Sequence, residues 1–228
     1  MTKTRTFGID LGTTCSAIGF VENGHPQLIE IDGDVLVPSV VYFPEDGEPV
    51  VGRAAENQLL LAPARTLRST KRRMGSAHCW QVGDRMVSAP EAATAILEAL
   101  VRGAEAAIGI KPERVVVTVP AWFPHDARAD TRRAAEAAGL EVVRLFNEPT
   151  AAALAHGHGN PQDRTALVYD FGGGTFDASL IRQSGALIEV LASHGDVELG
   201  GDDLDSDCWR MPSTGLRRTT SPWPRPCR

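Results

Sequence analysis

The chain has 228 residues, 43% of them hydrophobic and 23% charged, enough to bury roughly 70% of its unfolded surface around a core of one to two domains. A small disulfide-stapled module and a wholly disordered chain are thereby excluded. The net charge of −6 gives no support to binding of a phosphate backbone, and it is unevenly spread: residues 1–210 carry −10, while 211–228 carry +4 with four Arg, no acid and four of the 15 Pro.

Residues 1–6 run into a strand-like segment without a long apolar stretch, so the expectation is a cytoplasmic protein with neither a secretion signal nor a membrane span. Cys15, Cys79, Cys208 and Cys227 lack metal-ligand spacing and read as free thiols of a reducing compartment. His156 and His158 read as loop residues rather than metal ligands.

Strand signals fall at 6–9, 16–21, 27–31 and 37–43, separated by Gly, Asp and Pro, and predict an antiparallel meander. A short helix is expected over 52–61. The basic run Arg65, Arg68, Lys71, Arg72 and Arg73, ending at Gly75, reads by itself as a solvated face.

Ser88 and Glu91 form a capping-box pattern with Pro90 in the first turn, and Ile96, Leu97, Leu100, Val101, Ala104 and Ile108 trace one helical face. Residues 114–119 form a β-branched run typical of a strand covered on both faces. A helix over 126–138, with Asp, Arg and Glu outward, should stop at Gly139. A strand at 141–146, an Ala-rich helix at 149–157 and strands at 166–169, 176–181 and 186–192 complete the order. The expected fold class is α/β, a mixed β-sheet flanked by helices.

Two segments repeat one pattern: Asp10-Leu11-Gly12-Thr13-Thr14 and Asp170-Phe171-Gly172-Gly173-Gly174-Thr175 each follow an apolar strand and precede another. Gly lets a turn present consecutive N–H groups to phosphate oxygens, and Thr hydroxyls add donors. An Asp beside such a turn can hold a hydrated Mg2+. There is no G-x-x-x-x-G-K-[ST] and no G-x-G-x-x-G after a strand. A nucleotide-phosphate clamp made of two hairpin turns is the reading that remains.

These turns resemble, together with Lys71-Arg72 before Gly75, Val117-Thr118-Val119-Pro120-Ala121-Trp122-Phe123, Asn147-Glu148-Pro149-Thr150-Ala151-Ala152-Ala153-Leu154 and Leu199-Gly200-Gly201-Asp202-Asp203-Leu204-Asp205, the heat-shock chaperones of the DnaK type (70-kDa heat-shock proteins). The resemblance covers residue 7 to about 205 in family order. It implies an actin-like, ribonuclease H-like ATPase lobe and an ATP-binding, ATP-hydrolysing part of a chaperone that assists protein folding in the stress response. By the same resemblance Gly12, Thr13 and Thr14 hold phosphates from one side, and Gly172, Gly173, Gly174 and Thr175 from the other. Lys71 positions the attacking water, Asp10 and Asp170 hold Mg2+ through its waters, and Glu148 and Asp177 act around that water. Pro120, Arg128 and Glu148 relay nucleotide state between domains. Read from the residues alone, Pro120 is equally a strand terminator, Arg128 a solvated residue and Asp177 a sheet-edge acid.

Implied partners are ATP and ADP, unfolded peptides, J-domain co-chaperones and nucleotide exchange factors, with no nucleic acid and no membrane. The expected organisation is a first lobe at 1–165, a second phosphate hairpin and the start of a second lobe at 166–210, and an atypical, disordered tail at 211–228. The resemblance stops at this tail, which suggests a shifted reading frame and a chain cut short of its second lobe and peptide-binding domain. Whether such a chain hydrolyses ATP stays open. The alternatives are a non-catalytic nucleotide-binding or regulatory half-domain and an actin-like filament protein. Departures from the family pattern are Cys15 in place of Asn, Trp122 in place of Tyr, and Pro124-His125 in place of a polar pair.

Overall fold

A computed structural model describes residues 5–157, 163–185 and 187–210; the tail at 211–228 and His158 lie outside the described residues. Strand β1 (Thr6–Asp10) turns into β2 (Cys15–Glu22), and β3 (His25–Leu28) follows antiparallel to β2. The meander ends there. β4 (Val37–Pro38) pairs back onto the start of β2, whereas β5 (Val41–Tyr42) joins a small sheet with β6 (Val50–Val51) and β7 (Thr66–Leu67). The single strand expected at 37–43 is therefore two. Ser39 divides them: its N–H donates to the Thr14 carbonyl at 2.8 Å, and its buried hydroxyl meets that of Ser16 at 2.8 Å.

The helix expected over 52–61 is two single turns, α1 (Arg53–Glu56) and α2 (Gln58–Leu61). Only Ala55 is buried in them, so no continuous apolar face holds one longer helix together. The sequence reading missed a hairpin, β8 (Cys79–Val82) and β9 (Arg85–Ser88), whose signal is the two-residue turn Gly83-Asp84 with Gly83 at φ 58.

Helix α3 (Ala89–Ile108) starts at the expected capping box: Ser88 Oγ accepts from the Glu91 N–H, and Glu91 Oε2 accepts from the Ser88 N–H at 2.8 Å. It ends at Gly109 with φ 70. Ile96, Leu97, Leu100 and Val101 are buried with Phe7, Ile9 and Val117 in one core, each large apolar side chain contributing about 1.5–3 kcal/mol relative to exposure.

Strand β10 (Arg114–Val119) lies parallel to β1 on one side and to β11 (Glu141–Asn147) on the other. Val115, Val117 and Val119 are fully buried, but Val116 and Thr118 on the opposite face are half-exposed. The expected burial on both faces is therefore met on one. Between these parallel strands runs α4 (His125–Ala137), which stops before Gly139 at φ 79. Its acids were expected outward, yet Asp130 is buried, accepts the Gly75 N–H at 2.7 Å and pairs with Arg133. Gly75 has φ 77, and a Cβ there would lie 2.6 Å from the Ala127 nitrogen.

Helix α5 (Glu148–Gly157) leads to a second, three-stranded antiparallel sheet of β12 (Arg164–Phe171), β13 (Phe176–Ser184) and β14 (Leu187–Asp196). Helix α6 (Gly201–Arg210) follows and was not expected from the sequence. Its signal is a cap: the Asp203 carboxylate accepts the Gly200 N–H at 2.8 Å, three residues back. The whole is α/β, with helices packed on a mixed sheet. Among the described residues no helix is long and apolar enough to cross a membrane.

Candidate functional site

The two acidic turns lie at the ends of strands that belong to different sheets, and the fold brings them into contact. Asp10 closes β1, where its Oδ1 accepts the Thr118 hydroxyl at 2.6 Å from the neighbouring parallel strand. Gly12 is required by the tight turn, since a Cβ there would collide with the Cys15 carbonyl oxygen. In the second turn the Gly172 N–H donates to the Thr175 carbonyl at 3.0 Å. A Cβ on Gly173 would run into Thr14 Oγ1, and one on Gly174 into Thr13 Cγ2. Glycine is thus what lets the turns abut. The amides of Gly173 and Gly174 make no backbone hydrogen bond among the described residues.

Lys71 sits on a 3-10 turn, Thr70–Arg73, and is only 8% exposed. Its Nζ donates to Glu148 Oε1 at 2.7 Å and lies 5.7 Å from the Phe123 ring centroid. A solvated face is therefore the wrong description of this part of the basic run, although Arg68 and Arg73 do face solvent. Arg72 is half-buried, and its Nη2 donates to both carboxylate oxygens of Asp203 at 2.9 Å.

Around Lys71 the charges are unbalanced. Burial is the main force pushing the Glu148 carboxyl above the usual range; Lys71 opposes it, while Asp10 and Asp170 add to it. Burial likewise raises Asp170, against Lys71 and with Asp10. Asp177 is pushed up to about 6 by burial first and by Asp170 second, with the Trp122 backbone N–H and Lys71 opposing. It is 3% exposed, and its Oδ1 is the buried side-chain oxygen without a partner among the described residues. A Cβ at Gly195 on the facing strand would come within 2.6 Å of that oxygen. Asp177 is therefore an interior acid, not an edge residue. Lys71 thus acts on Glu148, Asp170 and Asp177 together, and Asp10 adds negative charge to the first two, an arrangement that favours a cation and a nearby proton acceptor.

Pro120, Arg128 and Glu148 also come together. Arg128 is not solvated: its Nη2 donates to the Pro120 carbonyl at 3.1 Å, the Ala121 carbonyl at 3.0 Å and Asn147 Oδ1 at 2.9 Å, and its Nε donates to the Phe123 carbonyl at 3.1 Å. Asn147 directly precedes Glu148, so one guanidinium ties the loop after β10 to the start of α5. Thr118, Asp130, Asn147 and Asp203 escaped the sequence reading as site residues. Each acts through a hydrogen bond to a residue distant in sequence, which leaves no periodic signal.

Among the described residues no group of three or more His, Cys, Asp or Glu side chains is close enough to hold a metal ion directly. Cys15 and Cys79 are free thiols. Comparison with protein-family models matches this chain over residues 6–90 and 78–212 to the family described as Hsp70 protein.

Proposed function

Because the chain belongs to the Hsp70 family, we propose that it is the ATP-binding and ATP-hydrolysing part of a chaperone that assists protein folding. The observation that carries this reading is the meeting of the two acidic glycine turns beside the buried Lys71–Glu148 pair. In this reading residues 1–165 form the first lobe of an actin-like ATPase and 166–210 begin the second. Their separation into a six-stranded and a three-stranded sheet supports that division.

The residues present fit a nucleotide and a hydrated cation. A Cβ at Gly12, Gly173 or Gly174 would collide with the facing turn or its own, the Asp177 Oδ1 lacks a partner among the described residues, and the acids offer hard oxygen. Asp10 and Asp170 would hold Mg2+ through its waters rather than by direct ligation. When bound, the cation would offset charge on the β- and γ-phosphates.

The chain's own groups supply the rest. The amides of Gly12, Gly173 and Gly174 and the hydroxyls of Thr13, Thr14 and Thr175 donate to phosphate oxygens and fix the reacting group in line, while the Gly172 N–H closes the second turn on the Thr175 carbonyl. Lys71, held by Glu148, presents a permanent positive charge where negative charge develops on the γ-phosphoryl group. Asp177, with its carboxyl near 6, is matched to accept a proton from water at neutral pH, and Glu148 orients that water. Arg128, joined to the Pro120 and Ala121 carbonyls and to Asn147, is placed to carry a shift of Glu148 to the surface. Unfolded peptides, J-domain co-chaperones and exchange factors are the partners this reading implies.

Calorimetric titration with Mg-ATP and single-turnover hydrolysis test it. Lys71→Ala and Asp170→Ala are each expected to cut turnover about tenfold or more, on the order of 1.4 kcal/mol of barrier. Turnover within twofold of the parent would overturn the assignment. Binding without turnover would favour the non-catalytic reading.

A further inference from the structure

We propose that Arg72 and Asp203 form a positioning clamp that sets the separation between the Lys71 turn and the second glycine turn. The proposal rests on the ATPase reading for its catalytic consequence, but not for its structural one. Three links join residues 69–73 to residues 198–203: Arg72 Nη2 on both Asp203 oxygens at 2.9 Å, the Ser69 hydroxyl on the Asp202 carboxylate, and Arg73 with Glu198 at 3.4 Å. They span at least 125 residues of chain. Their exposures rank them. Arg73 and Glu198 are 50% and 68% exposed and contribute little, whereas Arg72 and Asp203 are 17% and 35% exposed, with one guanidinium nitrogen shared between both carboxylate oxygens.

Both ends of the clamp are tied to the site. On one side the 3-10 turn is closed by the Arg72 N–H on the Ser69 carbonyl and by the Met74 N–H on the Lys71 carbonyl, so Arg72 cannot move without Lys71. On the other side the Gly201 and Asp202 amides at the start of α6 donate to the Gly172 and Gly173 carbonyls at 3.0 and 2.8 Å. Asp203 fixes that start by accepting the Gly200 N–H. The start of α6 thus grips the glycine turn through the Gly201 and Asp202 amides, and Asp203 joins that start to the Lys71 turn through one guanidinium. The side chain of Arg72 also lines the second turn, where a Cβ on Gly174 would lie 2.9 Å from Arg72 Cδ. The clamp forms one wall of a cleft of about 350 Å³ lined by Arg68, Ser69, Arg73, Trp80 and Glu198 besides the clamp pair.

A positioning residue acts on chemistry through geometry, and the simplest competing role for Asp203 is capping α6 alone. Asp203→Asn separates the two, since an amide oxygen still accepts the Gly200 N–H while the charge pair with Arg72 is lost. The test uses the full chain and hydrogen exchange of segments 69–75 and 171–175. Arg72→Gln and Asp203→Asn should each raise exchange in both segments together by about tenfold. The double variant Arg72→Gln/Asp203→Asn, which keeps the Gly200 cap, should loosen both segments no more than about twofold beyond either single variant. Arg72→Lys keeps the charge on a smaller, non-planar head and should fall between, and it serves where the glutamine variant unfolds.

With Mg-ATP the same variants should lower kcat by about fivefold or more and leave KM within about twofold. Loosening of 69–75 alone, additive loosening in the double variant, or a rise in KM at constant kcat each overturns the clamp. Failure of the parent to bind or hydrolyse Mg-ATP removes the proposed function, and the exchange result still decides the clamp.

Discussion

Lys71 and Glu148, separated by 77 residues, meet at 2.7 Å with side chains 8% and 15% exposed. An ion pair this enclosed matters chiefly through what happens when one partner is removed. Lys71→Met should destabilise the chain by about 3 kcal/mol because Glu148 is left as a buried carboxylate among other acids. Adding Glu148→Gln should recover most of that loss. Urea unfolding of the two single variants and the double variant measures the coupling; additive losses would show that the pair is not acting as one.

Asp177 governs a dependence on pH. Folded, it keeps its proton up to about pH 6, while an unfolded aspartate releases it near pH 4, roughly its ordinary value. Between those values the folded state binds more protons than the unfolded one, so stability falls as pH rises. The stabilising contribution is complete below about pH 4 and lost above about pH 6. Relative to Asp177→Asn, the parent's urea midpoint should therefore decline across that window, and Mg2+ should oppose the decline by favouring the ionised carboxylate. Equal slopes for the two proteins would count against an isolated acid at this position.

Gly173 faces Thr14 so closely that Gly173→Ala must push the two turns apart. The substitution should cost about 1–3 kcal/mol of stability by overpacking. Thr14→Ala removes the colliding hydroxyl, so the double variant should regain stability but not Mg-ATP affinity, because the hydroxyl donor is gone. Thermal unfolding together with calorimetric titration distinguishes the two effects; full recovery of affinity would remove Thr14 from the cradle.

Arg128 meets four acceptors from one planar fork. Arg128→Lys keeps the charge but cannot reach them all, and should cost about 2 kcal/mol. Exchange at residues 120–124 should rise with it. A variant within 0.5 kcal/mol of the parent, a difference of about twofold in the folding equilibrium, would return Arg128 to the role of an exposed helix residue.

Local signals marked what is local. The capping box at Ser88, the stop at Gly139, the apolar face of α3 and the strand at 114–119 were legible because each depends on neighbours within a turn or on strict periodicity. The two acidic turns were legible because their residue types carry a shared backbone chemistry. The hairpin over 79–88 and helix α6 had signals as well, in Gly83-Asp84 and in Gly200 with Asp203, and these were passed over.

By itself, then, the sequence determined which residues could turn tightly, cap a helix, bury in a core or donate to a phosphate, since those properties belong to single side chains and short spacings. Tertiary structure decided the rest. Only packing drives Lys71 out of a basic run into a pocket of carboxylates, lifts Asp177 to about 6 and turns Asp130 inward to hold Gly75. Burial and the meeting of distant charges set those properties, and neither exists until β1, β10 and β12 bring their ends together.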